Sequence, residues 1–333
     1  MVYFSVLVYS FNRREYILEA VKSVLKQEFD KFGYEIIVIK GFVDESLDEY
    51  LQKNNVKNLF LNDKSLGAKL AYGIQESSGE FICFLDDDDL FEPNKLDSLM
   101  LLLKRSTFID FIHNSLIKID ENGRVIDSNP RENTQRGISY SPNSNDCKKL
   151  SSIIKRRGDW YLSSMCIRKS VIFRVIQELS MTNQSVDKFI FFAALNYGRN
   201  IQMIPDKLTR YRLHKSTTTY AGNKDEFIRR RETFFINTVN VSWNIMRIST
   251  NLPGCYFSKC QFLQHKLNLY FISGNSDYRV SYREFLDFVE CLGCIRTRFQ
   301  IVWILAFILR RISLKTARMV YYGIFNRDFM QFI

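Results

Sequence analysis

Apolar and polar positions alternate in blocks along the first hundred residues. Residues 4–9 form a short apolar run without helical period, the pattern of a buried strand, and Ser10 to Arg13 follow as polar punctuation. Between 16 and 27, Ile17, Leu18, Val21, Val24 and Leu25 recur at helical spacing. The alternation then repeats. A strand over 34–39 closes at Lys40 and Gly41, and a short helix covers 44–52. A strand over 56–61 leads to a helix over 66–76, stopped at Ser78 and Gly79. A strand over 80–85 and a helix over 93–104, with Pro93 near its start, complete the series. The order β-α-β-α-β-α-β predicts an α/β fold with a mainly parallel sheet and helices on both faces. In such sheets ligands bind outside the carboxyl ends of the strands. That directs attention to Ser10, Asn12 and Arg13, to Lys40 and Gly41, and to the aspartates after residue 85.

The polar stretch 128–149, with Pro130 and Pro142, predicts a mobile surface loop. After Lys215 the pattern changes. Periodic apolar stretches at 227–248, 257–273, 282–292 and 299–325 predict helices rich in Arg and aromatics. The boundary falls near residue 218, giving an α/β domain over 1–217 and a mainly α-helical extension over 218–333. The longest apolar run, 301–309, is closed by Arg310 and Arg311 and is too short to span a bilayer. Such a segment either lies in a membrane interface or is buried in its own core or a dimer interface.

Composition narrows the classes. With 46% hydrophobic and 25% charged residues, the 333-residue chain has the profile of a folded protein, not a disordered one. Seven Cys at irregular spacing favour free thiols in a reducing compartment. Cys291 and Cys294 form a lone CxxC, for which Cys255 and Cys260 are only a loose second pair for zinc. The apolar start has no basic region before it and no small-residue site after it, so no signal peptide and a cytoplasmic location are expected. The net charge of +11 suggests a polyanionic partner. It is unevenly spread: residues 1–205 hold 27 Lys+Arg and 27 Asp+Glu, whereas residues 206–333 hold 20 and 9. No nucleic-acid motif is present. The basic tail, with Arg229, Arg230, Arg231, Lys315 and Arg318, therefore points to peripheral attachment at an anionic membrane or to a lipid-phosphate acceptor. Each basic residue near such a surface contributes about 1 kcal/mol.

Asp86, Asp87, Asp88 and Asp89 directly follow a buried strand. At ~4 Å each like-charged pair repels by roughly 1 kcal/mol in water and roughly 4 kcal/mol at an effective dielectric of 20. A divalent cation or a helix N-terminus offsets such a cost, and a hard oxygen-ligated ion such as Mn²⁺ or Mg²⁺ bridges carboxylates to a diphosphate. Strand alternation would point Asp86 and Asp88 together and Asp87 away. The alternative is a solvated acidic turn capping the next helix.

Three segments carry a family resemblance. Residues 4–13 are similar to the opening strand and polar turn of the family 2 inverting glycosyltransferases of GT-A fold. Residues 79–89, GEFICFLDDDD, resemble that family's GE-strand-DxD segment, and Tyr211, Arg212, Leu213 and His214 resemble its YRxH signature. The resemblance covers about 2–217 and implies roles. Asp86 would face the nucleotide ribose, Asp86 and Asp88 the metal, and Ser10, Asn12, Arg13 and Asp87 the donor pocket. Arg212 and His214 would lie near the diphosphate, and Asp187 at the head of a helix would act as general base. Inversion needs one carboxylate to deprotonate the acceptor hydroxyl, while the metal stabilises the departing diphosphate. Asp187 also reads as a helix N-cap.

The chain departs from the pattern in places. Lys40 and Gly41 stand where the family has a base-reading acidic pair, and Asp44 is the nearest acid. Lys69, beside Leu70 and Ala71, faces either a phosphate or water. His113 and Asn114 are read on the acceptor side or as structural groups, and Trp160 with Tyr161 as a sugar platform or core. The implied function is transfer of a sugar from a nucleotide sugar, UDP-linked as first expectation, to a glycan or lipid-linked acceptor, by a monomer or homo-oligomer. The alternative is a degenerate GT-A domain that binds nucleotide or glycan without turnover.

Overall fold

The computed structural model describes residues 2–10, 13–63, 65–126, 136–144, 146–213, 224–250, 252–291 and 307–330. Asn12 and His214, and residues 292–306 of the tail, lie outside them. The chain divides into two units, one of residues 1–214 with 248–254 and one of 215–247 with 255–333.

The first unit follows the alternation of its sequence. Strand β1 (Phe4–Ser10), helix α1 (Ile17–Leu25), β2 (Tyr34–Lys40), α2 (Glu45–Lys53), β3 (Lys57–Phe60), α3 (Leu66–Gln75) and β4 (Phe81–Asp86) come first. They are followed by β5 (Leu90–Phe91), α4 (Lys95–Arg105), β6 (Phe111–Ile119), β7 (Ile138–Tyr140) and α5 (Cys147–Lys155). Then come β8 (Met165–Arg168), the short helices α6 (Lys169–Ile172) and α7 (Ile176–Ser180), α8 (Val186–Tyr197) and β9 (Ile201–Arg212). Helix α1 forms because Ile17, Ala20, Val21 and Val24 make one buried face. Asp44 caps α2 by accepting the Leu47 amide, and Ser65 caps α3 by accepting that of Ala68.

Among the described residues, nine strands form one sheet in the order β3-β2-β1-β4-β8-β6-β9-β5, with β7 paired to β9. The first four run parallel, β8 is antiparallel to both its neighbours, and β6 and β9 are again parallel. Helices cover both faces of β1, which is buried almost throughout. The chain winds outward from β1 to β3 and then returns to the other side of β1 as β4. That reversal opens a crevice at the carboxyl ends of β1 and β4, where Tyr9 pairs with Asp86.

The segment predicted as a polar loop is partly ordered. Residues 127–135 lie outside the described set, but β7 pairs antiparallel with β9, Tyr140 is buried, and Asp146 caps α5 through the Lys149 amide. A three-residue edge strand has too few apolar positions to show a period.

The second unit is helical: α9 (Lys224–Ile248), α10 (Leu252–Ile272), α11 (Tyr282–Cys291) and α12 (Leu314–Met330). Phe235, Leu267, Phe271, Phe285, Phe288 and Tyr321 belong to its apolar core. Phe307, from the long apolar run, is buried there and stacks on Phe285 at 3.9 Å. The stretch predicted as one helix over 299–325 breaks at Ser313, whose hydroxyl accepts the Thr316 amide and starts α12. No helix among the described residues is long and apolar enough to cross a membrane.

One close approach tests this packing. Gly67 in α3 donates its amide to the Thr182 carbonyl at 2.9 Å. A Cβ there would sit 1.9 Å from the Leu179 carbonyl oxygen and 2.5 Å from that of Thr182. Both obstacles are backbone, so Gly67→Ala is expected to destabilise the first unit by about 1–3 kcal/mol in a denaturant titration, despite the better helix propensity of Ala.

Candidate active site

Strand β4 delivers Asp86 to the crevice, and the chain turns at once: the Asp89 amide donates to the Asp86 carbonyl at 3.2 Å. This turn brings Asp86, Asp88 and Asp89 together, with one carboxylate oxygen of each within 4.8 Å of the others. Strand alternation suggested Asp86 and Asp88; the turn adds Asp89. Alternation ends with the strand, so it says nothing of residues 87–89.

The four carboxylates are not equally offset. Asp87 accepts the Ser10 hydroxyl at 2.6 Å and pairs with Arg13 at 3.1 Å. Asp88 also pairs with Arg13. Asp89 accepts the Arg212 amide at 2.9 Å. Asp86 Oδ1 and Asp89 Oδ2 are buried without a hydrogen-bond partner. Burial, with the charge of Asp89, pushes the Asp86 carboxyl well above the usual range. Burial, with the charge of Asp88, pushes Asp89 up to about 8. Hard oxygen donors, close spacing and two orphaned buried oxygens fit a divalent cation of the Mg²⁺ or Mn²⁺ type.

Arg212, expected near the diphosphate, is spent inside the protein. It is 3% exposed, and its Nε donates to the Asp88 carbonyl at 2.8 Å. Nη1 donates to the Glu121 carbonyl at 2.8 Å, Nη2 reaches Glu19 at 2.8 Å, and the guanidinium lies 4.3 Å above the Tyr16 ring. It ties the acidic turn to α1 and to the loop after β6. Lys95, which no sequence signal singled out, lies beneath the same turn. It is fully buried, donates to the Ser163 carbonyl at 2.7 Å and to Thr209 at 3.0 Å, and its pKa is lowered by burial to about 8. Ser163 in turn accepts the Asp86 amide at 3.0 Å.

Asp187 sits in the first turn of α8 and adds to the charge felt by Asp86. The N-cap residue is Ser185, not Asp187, and it makes no side-chain cap. Burial pushes the Asp187 carboxyl up to about 6, with the neighbouring Lys188 pulling the other way. Arg157, Tyr161 and Ser185 all have left-handed backbone, at φ 60, 65 and 52. Three such non-glycine residues near Trp160 and Asp187 hold sparsely populated backbone, a cost on the order of 1 kcal/mol or more each. Trp160 is 43% exposed, with Arg157 5.0 Å and Lys188 5.6 Å from its ring centroid.

The other expected residues fall as follows. His113 is buried and donates through Nε2 to the Trp160 carbonyl at 2.8 Å; burial lowers its pKa to about 4, so it is neutral. Asn114 is buried and donates to Thr209 at 2.9 Å. Lys69 faces neither water nor an open phosphate pocket: it is 1% exposed and donates to the Leu61 carbonyl at 2.6 Å. Lys40 is equally buried and pairs with Asp48 at 2.8 Å. Asp44 caps α2, and its amide and hydroxyl donors hold its carboxyl below the usual range. Asn12 and His214 lie outside the described residues.

Residues 5–161 match the family model described as glycosyl transferase family 2. These residues belong to glycosyl transferase family 2. An uncharacterized glycosyltransferase of Rickettsia bellii is 35% identical over 128 residues, 37% of this chain and 18% of that protein. The poly(ribitol-phosphate) beta-N-acetylglucosaminyltransferase TarS of Staphylococcus aureus is 30% identical over 129 residues, again 37% of this chain and 22% of TarS. These two alignments therefore span about a fifth of either relative. The crystal structure of TarS 1-349 in complex with UDP-GlcNAc shares the fold, with a TM-score of 0.59 at 15% identity over 96% of this chain and 90% of that one. The fold is thus the GT-A type, a mixed sheet with flanking helices and a helical C-terminal region.

The Arg212 clamp is testable without a substrate. Arg212→Met is expected to lose about 2–3 kcal/mol of stability in a denaturant titration, because the Glu121 carbonyl and the Asp88 turn lose charge-assisted donors.

Proposed function

We propose that the chain is an inverting glycosyltransferase that moves a sugar from a UDP-sugar to an acceptor hydroxyl on a glycan or lipid-linked phosphate polymer. The observation that carries this reading is the trio Asp86, Asp88 and Asp89 at the β1/β4 crevice, with Asp187 close enough to add to its charge. UDP-N-acetylglucosamine is the first donor to test, since TarS is named for that sugar and crystallised with UDP-GlcNAc.

In this reading Asp86, Asp88 and Asp89 hold Mn²⁺ or Mg²⁺, which supplies charge stabilisation to the departing diphosphate. Ser10 and Arg13 orient the acidic turn from β1. Asp187 takes the proton of the acceptor hydroxyl at its carboxylate as that oxygen attacks the anomeric carbon. A carboxyl raised to about 6 is a better base than an ordinary aspartate and is still ionised at neutral pH. Trp160 offers an exposed ring beside that base for the acceptor sugar. Lys40 and Lys69 serve packing, so the base of the nucleotide is read by other groups. In the same reading the enzyme works in the cytoplasm at a membrane face, a reading supported by the surplus of Lys and Arg over residues 206–333.

The salt link from Arg13 to Asp88 favours one rival, a nucleotide-binding module without turnover in which Arg13 holds the position of the cation. Release of UDP from UDP-N-acetylglucosamine in the presence of Mn²⁺ separates the two, because the rival releases none.

Three outcomes are expected. Asp88→Ala removes metal-dependent UDP binding, read by calorimetry with and without Mn²⁺, while the circular dichroism spectrum stays that of the native fold. Asp187→Asn lowers the transfer rate by about 10²–10⁴-fold with little change in donor affinity. The base works deprotonated, so log(kcat/KM) falls by about one per pH unit below a pKa of about 6 and is flat above it. A profile without that acid limb overturns the role of Asp187.

A further inference from the structure

The second unit holds a cleft of about 410 Å³ lined by Arg279, Arg310 and Arg311 with Asn275 and Ser276. Helix capping explains part of this basic cluster. Arg310 donates through Nε to the Tyr270 carbonyl at 3.0 Å and through Nη2 to the Ser273 carbonyl at 3.2 Å, and Arg318 donates to the Ile272 carbonyl at 2.7 Å. These bonds satisfy the last carbonyls of α10, where the helix dipole favours cations. They do not explain Arg279 and Arg311. Both are exposed, line the same cleft and have no carboxylate partner among the described residues. Asp277 lies in the adjacent 276–278 turn but does not line the cleft. Three guanidinium groups around one concavity repel one another, and an anion relieves that cost.

We propose that this cleft binds a phosphate group, as a monoester or diester. Guanidinium presents paired N–H donors in the planar fork that matches phosphate oxygens. Two of the three forks are held before any ligand arrives. Arg310 is fixed by its two carbonyl bonds, and Arg311 lies 5.0 Å over the ring of the buried Phe307. Preorganised donors lose little conformational freedom on binding. Asn275 and Ser276 add neutral polar groups to the lining. The chemistry suits either a soluble phosphate polymer or the headgroup of an anionic lipid. Every residue involved belongs to the second unit.

The test uses the full chain and the double variant R279Q/R311Q, which leaves Arg310 in place as a cap. Inorganic phosphate is titrated against chloride at constant ionic strength, with binding read by calorimetry and by the shift in melting temperature. Phosphate is expected to bind wild type and to bind the variant at least about tenfold more weakly. UDP binding in the presence of Mn²⁺ is expected to agree within about twofold between them, which shows that the variant is folded. No phosphate effect beyond chloride in wild type, or an equal effect in the variant, overturns the proposal. Co-sedimentation with phosphatidylcholine vesicles, with and without phosphatidylglycerol, then assigns the source. Loss of phosphatidylglycerol-dependent sedimentation in the variant identifies a lipid headgroup, and unchanged sedimentation identifies a soluble phosphate.

Discussion

Mutual repulsion among four consecutive carboxylates at the end of β4 is the constraint around which the first unit is arranged. At ~4 Å and an effective dielectric near 20, each pair costs roughly 4 kcal/mol, comparable with the whole net stability of a domain. The fold answers with two arginines from distant parts of the chain. Arg13 leaves β1 and meets Asp87 and Asp88, while Arg212 ends β9 and holds the turn through the Asp88 carbonyl and its own amide to Asp89. Because Arg212 also reaches Glu19 and the Glu121 carbonyl, the same interaction fixes α1 and the loop after β6. Asp86 and Asp89 retain buried oxygens that the protein itself does not satisfy. Unsatisfied buried oxygens at that cost fit the hard oxygen donor set of a divalent cation.

A second contrast separates chemical roles by environment. The carboxylates of the turn share one small volume, whereas Asp187 sits apart on α8, raised by burial and moderated by Lys188. Groups of one chemical type are thus pushed to different proton affinities by their surroundings. The segment around Trp160 is braced. Neutral His113 holds the Trp160 carbonyl, and Tyr161 packs edge-on against Tyr211 at 5.0 Å. Arg157 and Tyr161, both with left-handed backbone, flank the braced Trp160, and the Arg157 guanidinium donates to the Tyr161 hydroxyl.

Much of this was legible in the chain. The βα alternation through residue 105 matches the observed elements to within a residue or two, because buried parallel strands are continuous apolar runs and their helices carry a clear 3.6 period. The acidic run at the strand end was legible because such a position is costly without a ligand. Other parts were not. Lys40 read as a ligand-edge residue, Lys69 as facing a phosphate or water, and Lys95 carried no signal, yet all three are buried against carbonyls or a carboxylate. A lysine's one-dimensional neighbours do not show whether its ammonium meets water or a strand end. The antiparallel strands β7 and β8 were equally hidden, since three- and four-residue strands depend on partners far along the chain.

The sequence by itself determined the class of fold, the order of strands and helices along the first hundred residues, and the acidic run at the carboxyl end of a buried strand. These follow from local periodicity and from charge that cannot be buried without compensation. Only the tertiary structure decided which acids share a volume, that Asp89 joins Asp86 and Asp88, and that Arg212 clamps the site from within. It also placed two arginines beyond the end of α10 in a cleft where capping does not use them. Those outcomes depend on distances between residues up to two hundred positions apart, and a one-dimensional pattern carries no such distance.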